Sequence, residues 1–324
     1  MSGSWNLPER DVTPESANSG KAPSRRRWLK WVGLGTATVA AGVGGWWWYR
    51  GTDEDVIKRG TYRGPGGDLY PASLNPEFND ADRDVSSEAA VARYCNFYEF
   101  STTKQVWRHV QSFQPAPWQL EVGGLVAKPK TLDLDSLLRA FPLEERIYRH
   151  RCVETWAMVV PWTGFPLAKL IQAVEPLPAA RFVRFVTFHR PKEAGRQAGL
   201  NEPWPYTEGL TLAEATNELA FIATGMYGHP LLKQHGAPVR LVVPWKYGYK
   251  SAKSIVRIEL TDKQPATFWN TLVPWEYDFQ ANVNPRIRHP RWSQAREQML
   301  GTGEIYPTQL YNGYGDWVAG MYTM

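Results

Sequence analysis

Cys152 stands in the run Arg149-His150-Arg151-Cys152-Val153-Glu154-Thr155-Trp156. Three basic side chains beside a thiol favour the thiolate, which is both a nucleophile and a soft-metal ligand. The same residues also read as a buried structural cysteine among solvated arginines. Because the chain has 2 cysteines, a disulfide to Cys95 is a third reading. A second stretch runs from Arg240-Leu241-Val242-Val243-Pro244 into a loop holding Lys246, Gly248, Lys250, Ser251, Ala252, Lys253 and Ser254. Such a loop can present cations and backbone N–H groups to a phosphate. It reads equally as a solvated hairpin whose lysines keep an edge strand soluble. The third stretch is Asn96-Phe97-Tyr98-Glu99-Phe100. Aromatics with an amide and a carboxylate could line a heterocycle's pocket; taken alone, the run reads as a half-buried strand.

Several elements must position these residues. Leu134, Leu137 and Leu138 fall at i, i+3, i+4 behind Asp133, and Leu167, Leu170, Ile171 and Val174 repeat the spacing, so two short amphipathic helices are expected. Residues 181–188, 239–243 and 254–260 read as strands, the last with Val256, Ile258 and Leu260 on one face and Arg257 and Glu259 on the other. Short strands dispersed among short helices and Pro-rich loops predict an α+β domain.

Composition narrows the chemistry. With 324 residues, 43% hydrophobic and 21% charged, the chain is an ordinary globular one, long enough to bury a large core. Two cysteines exclude a disulfide framework and a four-cysteine zinc site. The six histidines form no H-E-x-x-H pair, and there is no G-x-S-x-G, G-x-G-x-x-G or P-loop. A zinc hydrolase, that class of serine hydrolase and a nucleotide fold all lack support. Net charge of +5 suits an anionic ligand or a membrane surface and is too mild to argue nucleic acid.

The first fifty residues read as an address. Polar residues 1–23 form a lead-in, followed by Ser24-Arg25-Arg26-Arg27-Trp28-Leu29-Lys30 and an uncharged run over 31–49. Paired arginines before a weakly apolar, glycine-rich run are the bacterial twin-arginine export signal, whose route carries folded proteins. The run is also long enough to anchor in a bilayer, with Trp46, Trp47, Trp48 and Tyr49 as an aromatic belt. Both readings place residues 51–324, taken as one catalytic domain, outside the cytoplasmic membrane.

Together these stretches resemble the catalytic subunits of periplasmic protein-methionine-sulfoxide reductase, molybdopterin enzymes with the sulfite-oxidase fold. Residues 96–100, 144–154 with 156–167, 237–255, and 282–285 with 289–295 carry the match. The resemblance implies that Cys152 is the chain's thiolate ligand to molybdenum, with the remaining sulfurs supplied by a molybdopterin cofactor. It implies cofactor contacts from Asn96, Tyr98, Glu99, Thr187, Arg240, Ser251, Ala252 and Lys253, and places Glu154 and Trp292 near the metal. Two cofactor positions depart from the family: Cys95 and His235 stand where it has asparagine. Cys95 can offer a weak S–H donor, and His235 is expected to donate in asparagine's place. Loop 191–202 is shorter than usual.

The activity so implied is oxygen-atom transfer from methionine sulfoxide in exported proteins, with electrons from a haem-bearing integral membrane partner and a monomeric catalytic subunit. Two other readings stand beside it: sulfite oxidation on the same fold, and a non-enzymatic, exported binding module built on the 16 tryptophans.

Overall fold

The computed structural model describes residues 52–79, 81–199 and 201–322; the lead-in and twin-arginine segment over 1–50 lie outside the described residues. Twelve strands among them form two sheets. In chain order they are β1 (Gln119–Gly124), β2 (Lys130–Asp133), β3 (Glu144–Arg151), β4 (Trp156–Pro166), β5 (Phe182–Thr187), β6 (Thr207–Thr211), β7 (Phe221–Met226), β8 (His229–Pro230), β9 (Arg240–Val242), β10 (Ile255–Thr261), β11 (Arg296–Met299) and β12 (Ile305–Pro307). One sheet has the order β2-β1-β10-β5-β6, and the other β12-β11-β4-β7-β8, with β3 on β4 and β9 on β7. Only β1–β10 and β11–β4 pair in parallel. The architecture is the α+β one expected. One hydrophobic cluster reaches from Phe78 to Val318 and draws side chains from both sheets.

Both expected helices form, as Leu134–Ala140 and Leu167–Ala173. Asp133 caps the first by accepting from the Ser136 N–H at 2.8 Å. The three expected strands appear as β5, β9 and β10, with each end displaced by one residue. One detail of β10 is corrected. Its register against β5 shifts between Ile255 and Arg257, so Ile255, Ile258 and Leu260 are buried while Val256 is only half-buried. An extra residue at such a bulge turns the alternation over.

β4 is the long central strand, and all 11 of its residues are buried. Its one edge is covered by β3 along 157–164. The other is shared, β11 pairing with its start and β7 with its end. At the β4–β7 irregularity sits Gly164, where a Cβ would come 1.9 Å from the Ile222 carbonyl oxygen. Backbone cannot move aside as a side chain tip can. Gly164→Ala is therefore expected to destabilise by roughly 2 kcal/mol or more, read as a lowered midpoint in chemical denaturation.

Candidate functional site

Cys152 occupies the turn joining β3 to β4. Its N–H donates to the Trp156 carbonyl at 2.9 Å, and the Thr155 N–H donates back to the Cys152 carbonyl at 3.0 Å. Thr155 is held at φ 73, a left-handed conformation that costs a β-branched residue about 1–3 kcal/mol. The surroundings enforce it. The Gln298 N–H donates to the Thr155 carbonyl at 2.9 Å. The Val153 carbonyl accepts from Trp292 Nε1 at 2.8 Å and from Gln294 Nε2 at 2.7 Å, and Arg151 donates to the Cys152 carbonyl. The thiol is thereby fixed at the wall of a cavity of about 860 Å³, counting the solvent at its mouth.

The basic flank does not serve the sulfur. Along β3, Arg149 turns to Asp82, the Ala81 carbonyl and Gln309, while Arg151 pairs with buried Glu297 at 2.9 Å and with Gln294. His150, buried on the cavity wall, has its pKa held well below the usual value by burial and by Arg240 and Lys253. Burial, with Glu154 adding to it, pushes the Cys152 thiol up to about 12. The expectation that the flank keeps it deprotonated is thus corrected: strand alternation sends the two guanidiniums elsewhere, and a bound metal cation would have to supply the charge. Cys95 and Cys152 are both free and buried.

The cation that does reach this corner is Lys104, which the sequence reading missed. The Cys95 N–H donates to the Lys104 carbonyl at 3.1 Å, folding the segment so that Lys104 lies beside Asn96. Its Nζ donates to Asn96 Oδ1 at 2.7 Å and to both oxygens of Glu154 at 2.8 and 2.6 Å. Asn96 Nδ2 then donates to Glu154 Oε2 at 2.9 Å and lies 3.6 Å from Cys152 Sγ; Trp156 Nε1 completes the set at 3.1 Å. Burial pushes the Glu154 carboxyl up, but Lys104 and these hydrogen bonds outweigh it and hold the pKa below 4.5.

Elsewhere on the cavity the charges are arranged differently. Of the loop's three lysines, Lys246 pairs with Glu214 and Lys250 with Glu208 at 2.7 Å; both are buried, so the solvated-hairpin reading is set aside. Lys253 lines the cavity and donates only to the Asn96 carbonyl, at 2.8 Å. Gly236, at φ 92, allows the chain to press against it, since a Cβ there would lie 2.6 Å from Lys253 Cβ. Arg240, on β9, donates to carbonyl oxygens of His235, Leu241 and Ser251 and lies over the Trp162 ring, 4.8 Å from its centroid. Among the described residues neither cation has a carboxylate ion-pair partner. Burial lowers their pKa values to about 10 for Arg240 and about 8 for Lys253.

Asn96, Tyr98 and Glu99 come from a tight turn rather than a half-buried strand, the Phe100 N–H donating to the Phe97 carbonyl at 3.0 Å. The turn sends Phe97 and Phe100 into the core and leaves the polar groups on the cavity. Burial pushes Glu99 up to about 7, and Thr187 donates to it at 3.3 Å from behind. Ser251, Ala252, Cys95 and His235 also line the cavity; Thr187 and Trp292 stand just outside the wall. Trp292 is stacked on His289 with ring centroids 3.9 Å apart. Burial raises the Cys95 thiol to about 11, and its Sγ is 3.4 Å from the Gln234 carbonyl.

His235 behaves otherwise than expected. Burial lowers its pKa to about 3, so the ring is neutral. Its Nε2 faces the Val91 carbonyl at 3.3 Å, which can only accept. The proton therefore sits on Nε2, and Nδ1, buried with no partner, is left as an acceptor rather than the expected donor. Two cations without an ion-pair partner, an unpartnered imidazole nitrogen and an aromatic lining fit an anionic ligand with planar rings. In the same cavity a single thiol offers one soft ligand. Among the described residues no group of three or more His, Cys, Asp or Glu could hold a metal, so a metal at Cys152 would draw its other ligands from outside the side chains.

Lys104→Met tests this electrostatic arrangement. Wild-type Glu154, with its pKa depressed, contributes stability that is fully present above 4.5 and lost as pH falls through the folded-state value. Without Lys104, burial dominates and the folded-state pKa rises, so the variant loses stability as pH climbs above 4.5. Denaturation midpoints from pH 4 to 7 should show the deficit growing to about 3–5 kcal/mol, and Glu154→Gln added to Lys104→Met should remove the pH dependence.

Comparison with known proteins accords with this chemistry. The oxidoreductase molybdopterin binding domain family matches residues 107–269. The chain is 44% identical over 324 aligned residues to the protein-methionine-sulfoxide reductase catalytic subunit of Burkholderia mallei (strain ATCC 23344), covering 98% of this chain and 93% of that one. It is 43% identical over 330 to the same subunit of Ralstonia nicotianae (strain ATCC BAA-1114 / GMI1000), covering 98% and 94%. Among solved structures, the sulfane dehydrogenase SoxCD from Paracoccus pantotrophus is similar at a TM-score of 0.39 and 21% identity, over 47% of this chain and 40% of that one. The chain thus belongs to the molybdopterin-binding oxidoreductases and, within them, to the family of protein-methionine-sulfoxide reductase catalytic subunits.

Proposed function

We propose that the chain reduces methionine sulfoxide in exported proteins to methionine, using a molybdenum–molybdopterin cofactor seated in the cavity. The observation that carries this reading is one pocket lined by a buried thiol and by two cations, buried Arg240 and half-buried Lys253, neither of which has a carboxylate within ion-pair distance. Lys253 and Arg240 would hold the cofactor's phosphate together with the Ser251–Ala252 backbone. Tyr98, Glu99, Cys95 and the His235 acceptor would read the ring system, with Asn96 between rings and metal and Thr187 orienting Glu99. Cys152 would be the protein's thiolate ligand. When bound, the cofactor supplies a two-electron redox centre able to accept the sulfoxide oxygen.

Sulfoxide reduction consumes two electrons and two protons, cleaves the S–O bond and releases water. The chain's share is positioning and exclusion of water. Glu154, kept ionised by Lys104, presents a fixed carboxylate 3.7 Å from Cys152 Sγ, where it can orient the substrate or an entering proton donor. Trp292 holds the turn that carries the cysteine. The relatives' designation as catalytic subunits supports a separate electron-donating subunit, which we assign as a haem-bearing membrane protein. The paired arginines at 25 and 26 support export in folded form to the periplasm.

Two experiments test this. Purified protein should contain molybdenum, reduce methionine sulfoxide with a chemical electron donor, and fail to oxidise sulfite with a chemical electron acceptor. Cys152→Ser should retain its fold and lose that turnover; substantial activity in metal-replete Cys152→Ser would reject the ligand assignment. Arg240→Met should act in two ways. It removes the cavity's buried guanidinium, so the fraction purified with cofactor falls, while the loss of its bonds to three buried carbonyls lowers the stability of the cofactor-free chain in denaturation by about 1 kcal/mol or more.

A further inference from the structure

Beyond the helix Phe268–Leu272, the chain makes a turn with the cavity on one side and solvent on the other. The Glu276 and Tyr277 N–H groups both donate to the Val273 carbonyl, at 3.0 and 3.2 Å. Tyr277 lines the cavity, while Trp275 on the same turn is 73% exposed. Segment 286–292 packs against this turn. Glu276 pairs with Arg291 at 2.6 Å and with His289 at 3.3 Å, and the His289 ring lies 5.7 Å from that of Tyr277. On this segment Ile287 is 67% exposed, between exposed Arg286 and Arg288. Trp275 and Ile287 are the two most exposed large hydrophobic side chains among the described residues; Trp275 shares its turn with cavity-lining Tyr277, and Ile287 stands on the segment packed against that turn.

Charge on this rim is one-sided. Arg286, Arg288 and Arg291 stand on segment 286–292, while the acids of the turn are Glu276, already bound to Arg291, and Asp278, which accepts from the Ala281 N–H. Neither Arg286 nor Arg288 has an ion-pair partner among the described residues. We infer that this rim docks the polypeptide flanking the reacting methionine sulfoxide, and that it selects an extended, acidic segment; this rests on the function proposed above. To send one side chain into the cavity, the peptide must lie across both segments. Trp275 and Ile287 then offer apolar platforms, and the arginines attract flanking carboxylates. An anionic lipid surface has similar chemistry but would close the mouth through which substrate enters.

The test uses the cofactor-loaded full chain, a chemical electron donor and three substrates: free methionine sulfoxide, and short synthetic peptides carrying it between glutamates or between lysines. For wild type, the glutamate peptide should have the higher kcat/KM, by ~tenfold at low salt, with the advantage shrinking as salt rises. Arg286→Glu with Arg288→Glu should reverse that preference and leave free methionine sulfoxide unchanged. Trp275→Ala should weaken both peptides alone. Parallel changes for the two peptides, or none, would overturn the inference. So would phosphatidylserine vesicles that bind wild type but not the charge-reversed variant, when peptide selectivity is absent. If loaded wild type reduces none of the three, the proposed function itself falls, an outcome distinct from loss of selectivity alone.

Discussion

Lys104 meets three oxygens within 2.8 Å, two of them on a carboxylate beside the cysteine sulfur, and the candidate site is organised round that contact. An ionised carboxylate is tolerable in a protein interior only if its charge is answered and its lone pairs are filled. Glu154 meets both conditions through Lys104, Asn96 and Trp156. Because Asn96 is held by the same ammonium and also touches Cys152 Sγ, one cation orders the amide, the acid and the approach to the thiol. That cation lies on a loop fixed by the Cys95–Lys104 backbone hydrogen bond, so the geometry reaches back into the turn that carries Tyr98 and Glu99.

The cavity's other cations follow the reverse logic. Lys246 and Lys250 come from the same loop as Lys253, yet each has a buried glutamate and serves to pin the loop to the strand β6 and the helix that follows it. Lys253 and Arg240 have none. Two neighbouring lysines so neutralised make the two cations on the cavity informative. A ligand with negative charge would complete the arrangement.

The sequence disclosed this site unevenly. The two amphipathic helices and strands β5, β9 and β10 were legible because their apolar spacing is regular and local. β3 was not, since Glu144-Glu145-Arg146 and Arg149-His150-Arg151 look like solvated charge until Glu218, Asp82 and Glu297 are found opposite them. The same blindness led the arginines to be read as activating the thiol, when strand alternation turns them away. Most cavity residues were reached through the family resemblance, which carries position but not hydrogen-bond direction; His235 lines the cavity, but which nitrogen faces it was not legible. Lys104 lies in a plain polar stretch, and its acid partner is 50 residues away, a separation that no local pattern reports.

The unanswered cations also bear on when the cofactor would have to arrive. A group that binds only the folded chain stabilises it by an amount that grows with the logarithm of its concentration over its dissociation constant. Here part of that gain is relief of the unanswered charge of Arg240 and Lys253, so loading and the final stability of the fold are linked. A chain exported through a route that carries folded proteins would be more stable if the anion were already in place. The same linkage acts on the Cys152 turn. Thr155 is held in its left-handed conformation by hydrogen bonds to the turn's carbonyls, not by the cavity's contents. The thiol is thus presented before any ligand binds, and the pocket's strain and its surplus charge are separate devices: one positions the sulfur, the other draws in what it would bind.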